Sequence, residues 1–294
     1  MTAVTAVRKE IMARPLVIYH ANCLDGFGAA SVIFRHFRKG DDAPCDFFAA
    51  SYGRNPPDAS GRDLYIVDFS YSRQEMAALC RESKSVTVID HHLTAVHELA
   101  GLDKEQDNLS LVLDMEKSGA VLAWEYFNPE PVPSLLLHIQ DRDLWRFELA
   151  DTNDLYAALS ARPYDFRDWA ELIARRDLPP ELLAEGRSIN RYRRKMIDLH
   201  RDKAVMATIA GYNVPMVNCY EDIASDLLAE LAVGHPFAAG YQDQGRLRKW
   251  SLRSAPDGAD VAAVAELFGG GGHPHAAGFI TRHAAAVMNV SPRS

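Results

Sequence analysis

Three short apolar runs, alternating with helix-like stretches and each ending in residues that favour metals or phosphate, restrict this chain most. They are "PLVIYH" (15–20), "DLYIVDFS" (63–70) and "SVTVIDHH" (85–92), with the length and β-branched content of strands. Between them, "DGFGAASVIFRHFRK" (25–39) and "SRQEMAALCRESK" (72–84) read as helices, the second opened by Ser72 and Glu75 at capping-box spacing. A further strand is expected at "LSLVLDM" (109–115), and Ser118 can open a helix through "GAVLAWEYF". Strands and helices alternating at this spacing imply parallel βαβ units, and strands covered on both faces read as continuous apolar runs. The expected class is α/β, and open α/β sheets bind ligands beyond the carboxyl ends of their strands.

At those ends stand His20, Asp68 and Asp90-His91-His92. Such groups are costly to bury unless paired or bound to metal. "DHH" alone could be a chance tripeptide or a helix cap. Agreement among three strand ends is the stronger observation, and Asp25 lies close behind His20. Oxygen and imidazole donors without thiolate sets suit Mn²⁺ or Mg²⁺. Two such ions can clamp a phosphoryl group and activate water. "IQDRDLWRF" (139–147) adds Asp141 and Asp143, either of which can complete the set.

From 164 to 203 the pattern is helical, broken by Pro179 and Pro180. Ile189, Tyr192, Met196 and Leu199 form an apolar stripe opposite Arg187, Arg191, Arg193, Arg194 and Lys195. A solvated connecting helix explains that basic face, and attraction of an anionic substrate is the alternative. Beyond 206, "ATIAGYNVPMV", "PFAAGYQD" and "LRKWSLRS" are strand-like, and a helix "DVAAVAELF" (260–268) runs into "GGGGHPHAAGF" (269–279). One glycine suffices to end a helix. Four suggest an anion-binding nest at Gly270, Gly271 and Gly272, with His273 against a phosphate oxygen and Arg253 as a bidentate partner. The expected domains are 1–180, a helical linker 181–205, and a smaller α/β domain 206–294.

The 294 residues suit two domains. A net charge of −8 makes long double-stranded nucleic acid a poor partner, but allows a small phosphorylated substrate or short oligonucleotide. Four cysteines without a C-x-x-C pair fit reduced thiols. No apolar signal-like or membrane-spanning run is present, so a cytoplasmic protein with no membrane partner is expected.

These motifs resemble those of the DHH phosphoesterase superfamily, in the branch with a C-terminal DHH-associated domain. That branch includes RecJ-type nucleases, oligoribonucleotide and pAp hydrolases, and cyclic-dinucleotide phosphodiesterases. "YHANCLDG", "VDFS", "IDHH", "QDRD" and "GGGGHPHAAG" match its five motifs in order. The resemblance implies a catalytic parallel-sheet domain, a helical linker, and an active site in the cleft before the second domain. It implies one or two Mn²⁺ ions (Mg²⁺ the alternative), with Asp68 bridging, Asp25, His91 and Asp141 on one ion, and His20 on the other. His92 would stabilise the scissile phosphate, Asp90 would support the histidines, and Arg253, His273 and the glycine loop would hold the remaining substrate. The implied activity is exonuclease-like, nucleotide-binding phosphodiester hydrolysis by metal-activated water. One departure stands out: Cys23 occupies a position where the family carries an aspartate, which leaves the metal count and preference on the His20 side open. Polyphosphate hydrolysis and a catalytically weakened nucleotide sensor are the alternatives.

Overall fold

The computed structural model describes residues 14–38, 45–175 and 177–282. Residues 1–13 of the N-terminal stretch read for a targeting signal (1–15), the last residue of the first expected helix (39) and the C-terminal end of the second expected domain (283–294) lie outside these residues. The chain divides into two compact units between Arg187 and Ser188.

The first unit runs β1 (Leu16–His20), α1 (Leu24–Phe37), β2 (Asp46–Ala50), β3 (Asp63–Val67), α2 (Arg73–Glu82), β4 (Ser85–Asp90), α3 (Leu93–Leu99), α4 (Leu102–Glu105) and β5 (Leu109–Leu113). Then come α5 (Gly119–Phe127), α6 (Ser134–Asp143), α7 (Thr152–Ser160) and α8 (Phe166–Ala174). Helix α9 (Pro180–Arg201) crosses the division. The five strands are parallel in the order β2-β1-β3-β4-β5.

The alternation of side chains along a strand sorts the core into two layers. Val17, Val67 and Ile89 pack on one face with Phe27, Ile33, Trp124 and Trp169. Leu16, Ile18, Leu64, Ile66, Val86 and Val88 pack on the other with Met76, Leu79 and Leu99. Both faces are therefore dry, as the unbroken apolar runs require. The helix starts follow their caps. Ser72 and Glu75 close a capping box on α2, and the Ser118 hydroxyl accepts from the Val121 amide on α5. Strand β2 was not expected; "DFFAA" is a five-residue, partly buried edge strand with no β-branched residue. It matters because it places β1 between β2 and β3. This strand order has its topological switch point between β1 and β3, where ligands of such sheets bind.

The second unit contains β6 (Val205–Ile209), β7 (Tyr212–Asn218), α10 (Glu221–Leu231), β8 (Ala238–Gln244), β9 (Leu247–Arg253), α11 (Val261–Glu266), β10 (Gly271–His273) and β11 (Ala276–Arg282). Its sheet order is β10-β11-β9-β8-β7-β6, antiparallel except between β7 and β8. "ATIAGYNVPMV" is a hairpin and not one strand, because Ala210 and Gly211 both adopt positive φ (48° and 86°) in a two-residue turn.

Helix α10, also unexpected, accounts for much of the basic face of α9. Arg193 donates to the Asp226 carboxylate at 2.8 Å and to the Asp222 carbonyl at 2.7 Å. Arg194 and Arg201 both reach Glu230. Arginines matched in this way by an acidic helix support the structural explanation over anion attraction. The glycine run also has a structural use. Gly269 has φ 76° in the turn that ends α11, and a Cβ at Gly270 would lie 2.1 Å from the Gly278 carbonyl oxygen. Two of the four glycines are thereby explained without a ligand.

Candidate metal centre

The carboxyl ends of β1, β3 and β4 and the C-terminus of α6 bring the site together. After β1 the chain turns at Asn22 (φ 56°), and after β3 at Asp68 (φ 52°). Asparagine and aspartate are the non-glycine residues that best tolerate this conformation, and strained positions of this kind gather at functional sites. The Asp68 amide still donates to the Ile89 carbonyl at 2.9 Å, which fixes its carboxylate beside the end of β4.

On one side of Asp68, three carboxylates converge on one ring nitrogen. His91 Nε2 lies 3.1 Å from Asp68 Oδ1, 3.4 Å from Asp143 Oδ2 and 3.9 Å from Asp25 Oδ2. Asp25, Asp68 and His91 are all buried. Asp25 is held by the start of α5, accepting from the Gly119 amide at 2.6 Å and the Ala120 amide at 3.1 Å. Gly119 is required there, since a Cβ would lie 2.7 Å from Asp68 Cβ and 3.0 Å from Asp25 Oδ2. On the other side, Asp68 Oδ2 faces His20 Nδ1 at 3.7 Å, too far for a hydrogen bond. Both atoms are buried without a hydrogen-bond partner. Cys23 joins them: one donor atom from each of His20, Cys23 and Asp68 lies within 4.8 Å of the others, as do those of Asp25, His91 and Asp143.

The electrostatics are those of an anionic pocket in need of a cation. Burial, then the Asp68 and Asp143 carboxylates, raise Asp25 well above the usual carboxylate range. Burial would raise Asp68 too, but the imidazoles of His20, His91 and His92 outweigh it and hold Asp68 ionised far below that range. Burial would lower His91; the Asp68 hydrogen bond and the charges of Asp143, Asp68 and Asp25 prevail and lift it to about 10. Orphaned buried donor atoms, clustered carboxylates and neighbouring imidazoles fit a metal site.

Asp90 and His92 form the supporting pair. Asp90 Oδ1 accepts from the His91 amide (2.8 Å), the His92 amide (3.3 Å) and His92 Nδ1 (2.7 Å). Burial would lower the His92 pKa, but Asp90 and Asp68 raise it to about 9.

The placement of Asp141 departs from the sequence expectation. Its carboxylate accepts from the Glu148 amide (2.7 Å), the Leu149 amide (3.3 Å) and the Thr152 hydroxyl (2.6 Å). Its carbonyl accepts from the Arg146 amide at 2.9 Å. Asp141 therefore pins the turn after α6, in which Trp145 and Phe147 take positive φ values of 58° and 55°. Asp143, two residues on, is the member of this segment that reaches His91. A helix turns by about 100° per residue, so residues two apart point to opposite sides; spacing alone could not tell which side faced the strands. Tyr52, missed in the sequence, stands beside the cluster: it is 56% exposed, with its ring centroid 5.7 Å from that of His20.

Within the second unit, Arg253 and His273 share one rung of the sheet, since Ala276 pairs with both. Arg253 donates to the Ser225 hydroxyl and the Leu252 carbonyl, each at 2.8 Å. Gly271 and Gly272 lie in β10, and Gly270 immediately precedes it.

No family model matches the chain. A protein of Acanthamoeba polyphaga mimivirus, R106, is 28% identical over 287 residues, 90% of this chain. The chain spans 66% of that relative's length. Among solved structures, the chain is similar to an exonuclease RecJ bound to manganese (16% identity, TM-score 0.49, 91% of this chain and 86% of that one). It is also similar to a pGpG-specific phosphodiesterase from Vibrio cholerae (12% identity, TM-score 0.48, 92% and 93%). The DHH domain of a member of the s1p family of ribosomal proteins superimposes with a TM-score of 0.52 at 12% identity, over 92% of this chain and 83% of that one. With its parallel sheet in 2-1-3-4-5 order, its second mixed sheet and this likeness, the chain has the fold of a DHH-domain protein.

Proposed function

We propose that the protein is a divalent-metal-dependent phosphohydrolase that cleaves a small phosphate ester in a short oligonucleotide or nucleotide. The observation that carries this reading is the division of the Asp68 carboxylate. Oδ1 faces His91 and Oδ2 faces His20, so one buried group serves two donor sets at the switch point of the sheet. His20, Cys23 and Asp68 would hold one ion, and Asp68, Asp25, His91 and Asp143 the other. Mn²⁺ suits the second set, with Mg²⁺ the alternative.

When bound, such ions polarise phosphoryl oxygens and make water a stronger nucleophile. The protein's own groups supply position and charge. The Gly119 and Ala120 amides fix Asp25, and a carboxylate has further lone pairs with which to bind an ion. Asp90 engages Nδ1 of His92, so Nε2 is the ring atom that would meet a phosphate oxygen and stabilise its growing charge. In the second unit, Arg253 and His273 are the groups we assign to an anionic part of the substrate. The net charge of −8 favours a small substrate over long nucleic acid.

The test is turnover of pAp, di- to pentaribonucleotides and polyphosphate by purified protein with Mn²⁺, Mg²⁺, Zn²⁺ or chelator, beside Asp68→Ala. Metal-dependent release of nucleotide that disappears in Asp68→Ala is the expected result. Preference for polyphosphate would change the substrate class. Tight metal binding with no turnover of any ester would overturn hydrolysis and leave a nucleotide sensor.

A further inference from the structure

Cys23 occupies the N-cap position of α1, yet its side chain makes no capping hydrogen bond. Serine, threonine, aspartate or asparagine would serve the helix better there. The thiol instead shares a cluster with Asp68 and His20. Asp68 is 1% exposed, and its Oδ2 has no hydrogen-bond partner; neither has His20 Nδ1, 3.7 Å away. Sulfur, imidazole nitrogen and carboxylate oxygen lie within 4.8 Å of one another. The opposite set offers only oxygens and one imidazole, from Asp25, Asp143 and His91.

These donor sets differ in softness. Thiolate and imidazole together select zinc-like ions, whereas carboxylate-rich sets accept Mg²⁺ and Mn²⁺. Resting on the metal-centre reading above, we propose that Cys23 Sγ is a metal ligand. It makes the His20–Cys23–Asp68 site selective for a thiophilic divalent ion of the Zn²⁺ class, beside a harder-ion site at Asp25, His91 and Asp143. The centre is then a mixed pair, and the cysteine sets which metal completes it. The remaining described cysteines, Cys45, Cys80 and Cys219, are buried and belong to none of the metal-type clusters among the described residues. They serve as internal controls.

The experiment titrates metal-free, full-length protein with Co²⁺ in excess Mg²⁺, following near-ultraviolet absorption and bound cobalt by equilibrium dialysis. One cobalt per chain should produce a sulfur-to-cobalt charge-transfer band that Zn²⁺ abolishes and Mg²⁺ does not. Cys23→Ser should lose the band and weaken cobalt binding at that site by more than about tenfold, while Cys45→Ser keeps both. In the unmodified protein, Zn²⁺ should slow alkylation of Cys23 by iodoacetamide at least about tenfold, a readout that needs no variant. Cobalt bound without the band, or a band that survives in Cys23→Ser, overturns the thiolate ligand and leaves the metal centre standing. If no cobalt binds at all, both readings fall.

Discussion

Asp141 and Asp143 lie two residues apart at the same helix end, and the structure gives them different tasks. Asp141→Ala leaves two backbone amides and the Thr152 hydroxyl without the carboxylate that accepts from them. A hydrogen bond to a charged group contributes about 1.5–3 kcal/mol, and losses within one network are not additive. Leu149 is an exposed residue whose amide can turn to water, so the expected net cost is about 3 kcal/mol. For a unit of this size, each kcal/mol shifts the melting temperature by about 2–4 °C. Metal-free Asp141→Ala should therefore melt about 6–12 °C below the parent protein and still bind metal when cold. Asp143 has a side chain that is 27% exposed and stands in a cluster of like charges. Asp143→Ala should change the metal-free melting temperature by less than about 4 °C, since surface-type losses stay near 1 kcal/mol or below. It should weaken binding at the harder-ion site at least about tenfold. Differential scanning calorimetry with chelator, paired with metal dialysis, reads both quantities. The reverse pattern, with Asp141→Ala stable but metal-free and Asp143→Ala unstable but metal-binding, would refute the assignment and restore the sequence preference for Asp141.

Three further outcomes follow from the same contacts. Burial opposes, but the Thr152, Glu148 and Leu149 hydrogen bonds depress the Asp141 pKa, so its contribution is full above the ordinary aspartate value. That contribution is lost as pH falls through the lower folded value, and the stability gap between parent and Asp141→Ala in denaturant titrations should close only in acid. Gly119→Ala forces a methyl against Asp68 and Asp25; overpacking of about 1–3 kcal/mol and at least about tenfold weaker metal binding are expected by calorimetry and dialysis. An unchanged affinity would show that α5 can withdraw. Metal at about 100 times its dissociation constant should stabilise the protein by about 2.7 kcal/mol, which thermal melts with and without chelator would detect.

Much of this molecule was legible one residue at a time. Buried parallel strands need unbroken apolar runs, so β1, β3, β4 and β5 announced themselves, and the Ser72 and Ser118 caps announced α2 and α5 because capping is a local hydrogen bond. His20, Asp68, Asp90, His91 and His92 were visible as site candidates because they end those strands. Strand β2 was not visible: it is a five-residue edge strand without a β-branched residue, and its pairing with β1 is a tertiary contact. Helix α10 was overlooked, though its acidic side chains pair with Arg193, Arg194 and Arg201 of α9.

The division between sequence and tertiary structure is clearest at the metal centre. The chain alone determined which chemical groups were present and that they ended separate strands, since both follow from sequence and local periodicity. Only the tertiary structure decided that Asp143 reaches His91 while Asp141 pins a turn, that Gly119 must lack a side chain, and that Cys23 gathers with His20 and Asp68. Each of these depends on the angle at which a helix meets the sheet. That angle is set by packing among residues far apart in sequence, and no short motif encodes it.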